Sequence, residues 1–341
     1  MSAKAGTGST FERQGLSDEQ LVAILRIMIL HRTLENRGFA LNRQGKIPFA
    51  SASEGHEAVQ AGAAMAFERG KDILVPYYRD LGLDLGIGLT SYEVMLSLFA
   101  RIDDHSAGRQ FPHHYASKKL GLYTISSVIA AQTSHAVGAA YAMKLRKERG
   151  RAVLTTFGDG ATSEGEWHEA VNFAATHKLP IVFLCENNEW AISTPLSAQM
   201  GQPDVYKRAA GYGMPGVVVN GFDPVACYAV TKEAMDRARH GGGPTLIEAK
   251  CYRFLSHTTD DDDRSYRTRE EVDERRKEDP VPAFERLLVE QGVLTLQSLE
   301  DLKASILAET NEATDRAETV AYPRPEDLFT RLHEGPWEPW Q

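Results

Sequence analysis

Cysteine is scarce in this chain, three residues in 341, at 185, 227 and 251, and no CxxC pair occurs among them. Each sits in or beside an apolar run, which excludes a disulfide framework and a cysteine-built metal site. The expectation is reduced core thiols. Positive charge is also in deficit, 38 Lys and Arg against 47 Asp and Glu for a net of −9, and no basic stripe dominates any segment. That argues against a nucleic-acid surface and leaves small molecules or other proteins as partners. No apolar run reaches bilayer-spanning length, and the Ser/Gly/Thr-rich start carries no apolar signal core. The expectation is a soluble, cytoplasmic protein.

What is present is one stretch rich in chemistry, residues 158–194. A buried strand over 152–157 breaks at Gly158-Asp159-Gly160 and turns polar before a helical pattern begins. Ser163 and Glu166 fit a capping box. Trp167, Val171, Ala174 and Ala175 recur at helical spacing until Leu179-Pro180, and a second buried strand follows at 181–185. This βαβ unit puts the carboxyl ends of two parallel strands, and so Asp159 and Asn187-Asn188, on the sheet edge where ligands bind. Asp159 supplies a carboxylate and Asn188 an amide oxygen, donors that suit Mg²⁺ when phosphates and water complete the shell. Gly158 and Gly160 let backbone N–H groups approach a diphosphate at a helix N-terminus.

Around that unit, strands alternate with helices, predicting an α/β fold with a mostly parallel sheet covered by helices on both faces. Residues 1–15 read as a disordered tail, 16–279 as the α/β domain and 280–341 as a helical extension. Ser17 caps a long helix, and 54–67 is an Ala/Gly-rich helix in which His56 packs or hydrogen-bonds rather than ligates. Arg79 follows a short strand at 73–75, well placed to hold a diphosphate, with an ion pair to Asp80 or Asp84 as the plainer reading. Residues 101–121 form a long loop whose His105, His113 and His114 lack metal-ligand spacing. Residues 124–129 read as a strand end, 135–148 as a helix, 206–214 as a short helix, 217–219 as a strand, 225–239 as a helix and 245–249 as a strand. The run at 251–269 sets four consecutive aspartates before three arginines, predicting an exposed, mobile loop that carries His257, a candidate proton carrier or diphosphate contact.

GDG followed by 26 residues and NN across a strand–helix–strand resembles the thiamine-diphosphate-binding motif. With KIPF at 46, PYYRD at 76, GRQFP at 108, GDGATSEG at 158, ENNEWAIS at 186 and HTTDDDDRSYR at 257, the chain resembles the α subunits of 2-oxo acid dehydrogenase E1 components from about residue 21 to 331. The AIS after ENN and the aspartate run after His257 lean towards the branched-chain (2-oxoisovalerate) type.

That resemblance implies the thiamine-diphosphate-binding fold and a role for each matching position. Tyr78, Arg79 and His257 would bind the diphosphate. Ser127, Ile129 and Ile192 would line the cofactor site. Gly158, Asp159, Gly160 and Ala161 would hold the metal and its phosphates. Asp159, Asn188 and the Trp190 carbonyl would ligate Mg²⁺, Asn187 being structural. His257 would be catalytic, and Thr258 stands at the hydroxyl that mammalian kinases phosphorylate. The implied reaction is oxidative decarboxylation of a 2-oxo acid, of the EC 1.2.4 class, with acyl transfer to a lipoyl group of the E2 acyltransferase. The implied assembly is α₂β₂, with the activating glutamate on the β subunit, so that the chain is active only with that partner.

Pyruvate or acetoin as substrate, with Phe49 lining the acyl pocket, and a non-catalytic metal- or nucleotide-binding scaffold remain as alternatives. A single-chain transketolase does not fit into 341 residues. One departure stands out. Where relatives have a Ser-Ser-Pro-x-x-Thr-Gln segment that can hold potassium, this chain has Ser126-Ser127-Val128-Ile129-Ala130-Ala131-Gln132. The expectation there is a weak or absent potassium site.

Overall fold

The structure is a computed structural model that describes residues 11–330. The first ten residues of the expected tail, and 331–341 of the expected helical extension, lie outside them. Residues 11–15 include a turn, and Phe11 packs on the core.

The chain begins with α1 (Asp18–Arg43), whose Ser17 and Gln20 close a capping box, then α2 (Glu57–Ala66) and β1 (Ile73–Val75). Next come α3 (Leu81–Ile87), α4 (Ser91–Leu98), α5 (Ala131–Leu145), β2 (Val153–Gly158) and α6 (Gly165–Thr176). β3 (Ile181–Asn187) leads into a small antiparallel pair, β4 (Trp190–Ala191) and β5 (Thr194–Pro195), and α7 (Leu196–Gln199). The last elements are β6 (Gly216–Asn220), α8 (Pro224–Arg239), β7 (Thr245–Lys250), α9 (Arg269–Arg276), α10 (Pro280–Glu290) and α11 (Leu296–Thr319).

Five strands form one parallel sheet in the order β1-β2-β3-β7-β6. Alternation along the strands feeds two cores. Leu74, Leu154, Val182, Leu184 and Ile247 join a core shared with α1 to α4, α8, α10 and α11. Val75, Val153, Phe157, Ile181, Phe183 and Leu246 join a second with α5, α6 and the turn of 3₁₀ helix at Val205–Tyr212. Helices therefore cover both faces, and the near-continuous burial of β2, β3 and β7 follows. Because all strands run one way, the loops after β1, β2, β3 and β7 gather on one edge.

Three local expectations fail. The capping box at Ser163 is absent. Residues Asp159–Ser163 form a 3₁₀ turn closed by the Thr162 hydroxyl donating to the Asp159 carbonyl, and α6 starts only at Gly165. Residues 124–129 are not a strand beyond one bridge between Tyr77 and Ser126, because serine hydroxyls capture the local polar groups. Ser126 bonds Val128 through both carbonyl and N–H, and Ser127 bonds His114. The 251–269 run is partly buried rather than a free loop. Arg267, 5% exposed, pairs with Asp263 and donates to the Arg253 and Leu255 carbonyls, while Tyr252 and Phe254 form a small core with Trp190.

Candidate functional site

At the carboxyl edge of the sheet lies a cavity of 570 Å³. Its wall includes Tyr78, Arg79, Ser127, Ile129, Gly158, Asp159, Gly160, Ala161, Asn188, Trp190, Ile192 and His257, all the positions that the resemblance assigned to the cofactor and metal. Phe49 also lines it, its ring 4.5 Å from that of Phe111.

The 158–161 turn leaves β2 and packs on β4. A Cβ on Gly160 would meet the Cβ of Ala191 at 2.6 Å, so close packing requires this glycine, whereas Gly158 faces nothing nearer than a Tyr77 ring atom at 4.0 Å. Asp159 is 1% exposed. Its Oδ2 accepts from the Gln199 amide at 2.8 Å, and its Oδ1 has no partner. Burial pushes its carboxyl pKa up, against the Gln199 hydrogen bond. A buried carboxylate with a bare oxygen at a cavity wall is a cation ligand in waiting. Asn188 receives the Trp190 N–H on Oδ1 at 3.1 Å, and Asn187 is structural, donating to Glu248 at 2.7 Å.

Opposite in sign are two guanidiniums. Arg79 is 2% exposed with Nη1 unpartnered, and Arg253 is fully buried. Neither forms an ion pair among the described residues, so the expected alternative of Arg79 with Asp80 or Asp84 fails. Asp80 instead accepts from the Tyr77 N–H and the Thr156 hydroxyl. Both guanidiniums donate to one atom, His257 Nδ1, at 3.1 and 3.3 Å. Guanidinium nitrogens only donate, so Nδ1 is the acceptor and the ring proton sits on Nε2. Burial, then Arg79 and Arg253, pull the His257 pKa down to about 3, and burial with Arg79 lowers Arg253 to about 10. Buried charge without a carboxylate is expensive, so this wall is built to receive an anion.

Beneath Tyr77 lies a packed polar layer. Glu186 Oε2 accepts from His56 Nδ1 at 2.6 Å, Gln60 at 3.0 Å and the Tyr77 hydroxyl at 3.1 Å. Burial pushes Glu186 up, but hydrogen bonds from His56, Asp80 and Gln60 outweigh it and hold the carboxyl below its usual range. Asp80 goes the other way, raised by burial and by the charge of Glu186. His56 thus hydrogen-bonds, as the sequence reading expected.

The rim adds strain and apolar surface. Ile192 sits at φ 54°, a conformation unusual for a β-branched residue, with its side chain 55% exposed. Val128, 67% exposed, and half-exposed Phe111 continue that apolar edge. Sequence reasoning missed His114, whose Nε2 accepts from the Ser127 hydroxyl at 2.5 Å while Nδ1 donates to the Pro112 carbonyl. It also missed Arg253, and it named Gln132 only in the potassium segment, not as a residue of the cavity wall. The signal for Arg253 was available: a lone arginine four residues before His257 on the segment leaving β7.

Comparison with known proteins agrees with this architecture. The family model described as dehydrogenase E1 component matches residues 25–326. A 2-oxoisovalerate dehydrogenase subunit alpha of Bacillus subtilis is 47% identical over 320 residues, 94% of this chain and 97% of the relative. A 3-methyl-2-oxobutanoate dehydrogenase subunit alpha of Mycobacterium tuberculosis is 39% identical, covering 93% of this chain and 84% of the relative. A pyruvate dehydrogenase E1 component subunit alpha of Staphylococcus aureus is 39% identical, covering 87% and 79%. With a family match over most of its length and one relative, 47% identical, covered almost end to end, this chain belongs to the dehydrogenase E1 component family.

Proposed function

We propose that this chain is the α subunit of a branched-chain 2-oxo acid dehydrogenase E1, an oxidoreductase of the EC 1.2.4 type. In this reading it uses thiamine diphosphate and Mg²⁺ to decarboxylate acids such as 2-oxoisovalerate, and the acyl group passes to a lipoyl group of E2. The observation that carries it is the charge layout of one cavity: Arg79 on its wall with Nη1 unpartnered, and Arg253 bonded to the wall residue His257, for an anion, and the bare Asp159 oxygen for a cation. The 47% identity to a 2-oxoisovalerate enzyme, against 39% to a pyruvate enzyme, favours the branched acid.

In this reading Arg79 and Tyr78 hold the diphosphate, with Arg253 behind them, and His257 offers its Nε2–H. Asp159, Asn188 and the Trp190 carbonyl hold Mg²⁺. No cluster of three or more His, Cys, Asp or Glu spaced for a metal exists among the described residues. One carboxylate with amide and carbonyl oxygens is a set that Mg²⁺ accepts when phosphates and water complete it. Ser127 and Ile129, with Ile192 across the rim, line the ring site, and Phe49 with Phe111 fits an apolar acyl group. When bound, the cofactor supplies an electron sink for the pair released as CO₂ leaves.

No glutamate lines the cavity among the described residues, and its rim is exposed and apolar. Both features support a β subunit that brings the activating glutamate and closes the site, in an α₂β₂ assembly. Three unpaired, buried thiols suit a cytoplasmic setting. The test is calorimetric titration of the α/β complex with thiamine diphosphate and Mg²⁺. Arg79→Ala and Asp159→Ala should each abolish tight binding, and wild-type affinity in both would overturn the reading.

A further inference from the structure

Asn188 presents an amide, and an amide has two unlike ends. Only the oxygen can ligate a cation; the NH₂ end would repel it. Which end faces where is settled by two neighbours. The Trp190 backbone N–H can only donate, and it stands 3.1 Å from Asn188 Oδ1. Asn188 Nδ2 therefore faces the other way, 3.2 Å from His56 Nε2. An amide nitrogen has no lone pair to offer, so His56 Nε2 must accept. The single ring proton then sits on Nδ1, which donates to Glu186 Oε2 at 2.6 Å. All three side chains are buried, His56 and Glu186 completely.

We propose that His56 is a positioning residue: through the buried Glu186–His56–Asn188 relay it commits the oxygen end of the Asn188 amide to a divalent cation in the cavity. The inference rests on the Mg²⁺ reading above. The Asn188 oxygen spends one lone pair on Trp190 and keeps the second for the wall of the cavity that Asn188 lines. A His56 carrying a proton on Nε2 would instead attract that oxygen and turn N–H groups outwards. Several contacts hold the ring against this. His56 occupies the N-cap position of α2, and Gln60, one turn on, shares the same Glu186 oxygen.

Mn²⁺ titration of the α/β complex, with thiamine diphosphate present and binding read by calorimetry, tests the relay. His56→Leu removes both bonds and should weaken Mn²⁺ about tenfold or more, whereas His56→Gln, with one donor and one acceptor, should stay within about threefold of wild type. Equal losses in the two variants, or none in either, would overturn the relay. Asp159→Asn separates the two levels. If it binds Mn²⁺ normally, the metal reading fails and the inference with it; if it loses Mn²⁺ while His56→Leu does not, only the relay fails. Neutron diffraction from the wild-type complex gives a check that needs no variant. Deuterium on His56 Nδ1 and none on Nε2 is the expected result, and deuterium on Nε2 contradicts it.

Discussion

Arg253 and His257 set the electrostatics of the cavity wall, and each makes a separate prediction. The Arg253 charge is fully buried with only carbonyl, hydroxyl and imidazole partners. Replacing it by methionine removes an uncompensated charge along with those bonds. We expect these effects to offset within about 1 kcal/mol in stability, while thiamine diphosphate binding weakens about tenfold or more. Urea denaturation and calorimetry would measure the two; a variant that unfolds early yet binds normally would leave Arg253 only a packing role. His257 is pulled from 6.5 to about 3 in the folded protein. The unfolded chain therefore takes up the proton first as pH falls. Its contribution to stability is full above pH 6.5 and is lost towards pH 3, with a slope of at most about 1.4 kcal/mol per pH unit. His113, lowered to about 4 by burial, slopes the same way. The readout is thus the difference between wild type and His257→Gln, which should lose less stability between pH 7 and pH 5. Identical slopes would contradict the assignment. At this scale the motif residues were legible because strand-end turns are local chemistry. Arg253 left a local signal beside His257, but its role beside Arg79 was not legible, since the residue that links the two, His257, lies 178 residues from Arg79.

At the scale of elements, the informative failures are at 124–129 and 251–269. In both, hydrophobicity and charge patterns predicted one state, and side chain to backbone bonds imposed another. The second segment folds upon Arg267, whose side chain is fully buried against Asp263 and two carbonyls. Arg267→Ala breaks that pair and should destabilise the segment by about 3 kcal/mol or more. Hydrogen exchange should quicken across 251–268 and leave β2 and β3 unchanged; uniform protection would show that the segment holds by other means. Just past the first segment, at the start of α5, Gln132 spends its amide nitrogen on the Thr156 carbonyl at 2.9 Å, and Thr133 turns its hydroxyl to the Ala130 carbonyl. We propose that this segment holds no structural potassium. Melting temperatures in KCl and NaCl should coincide, and a potassium-dependent rise abolished by Gln132→Ala would sink the idea. The βαβ unit itself was readable because β2 and β3 are short, largely apolar runs with Gly158 closing the first and Pro180 preceding the second, the pattern of parallel strands covered on both faces.

For the whole molecule, the decisive feature is that the cavity is lined by strand-end loops on one side and left with an apolar rim on the other. A site so divided should be incomplete in one chain. The most direct test is decarboxylation, followed with an artificial electron acceptor, by this chain alone and after reconstitution with a cognate β subunit. Thiamine diphosphate and Mg²⁺ would be present, and 2-oxoisovalerate would be compared with pyruvate. The account predicts activity only in the mixture, with preference for the branched acid. Preference for pyruvate would contradict the substrate assignment, and turnover by the chain alone would contradict the division of the active site between two subunits.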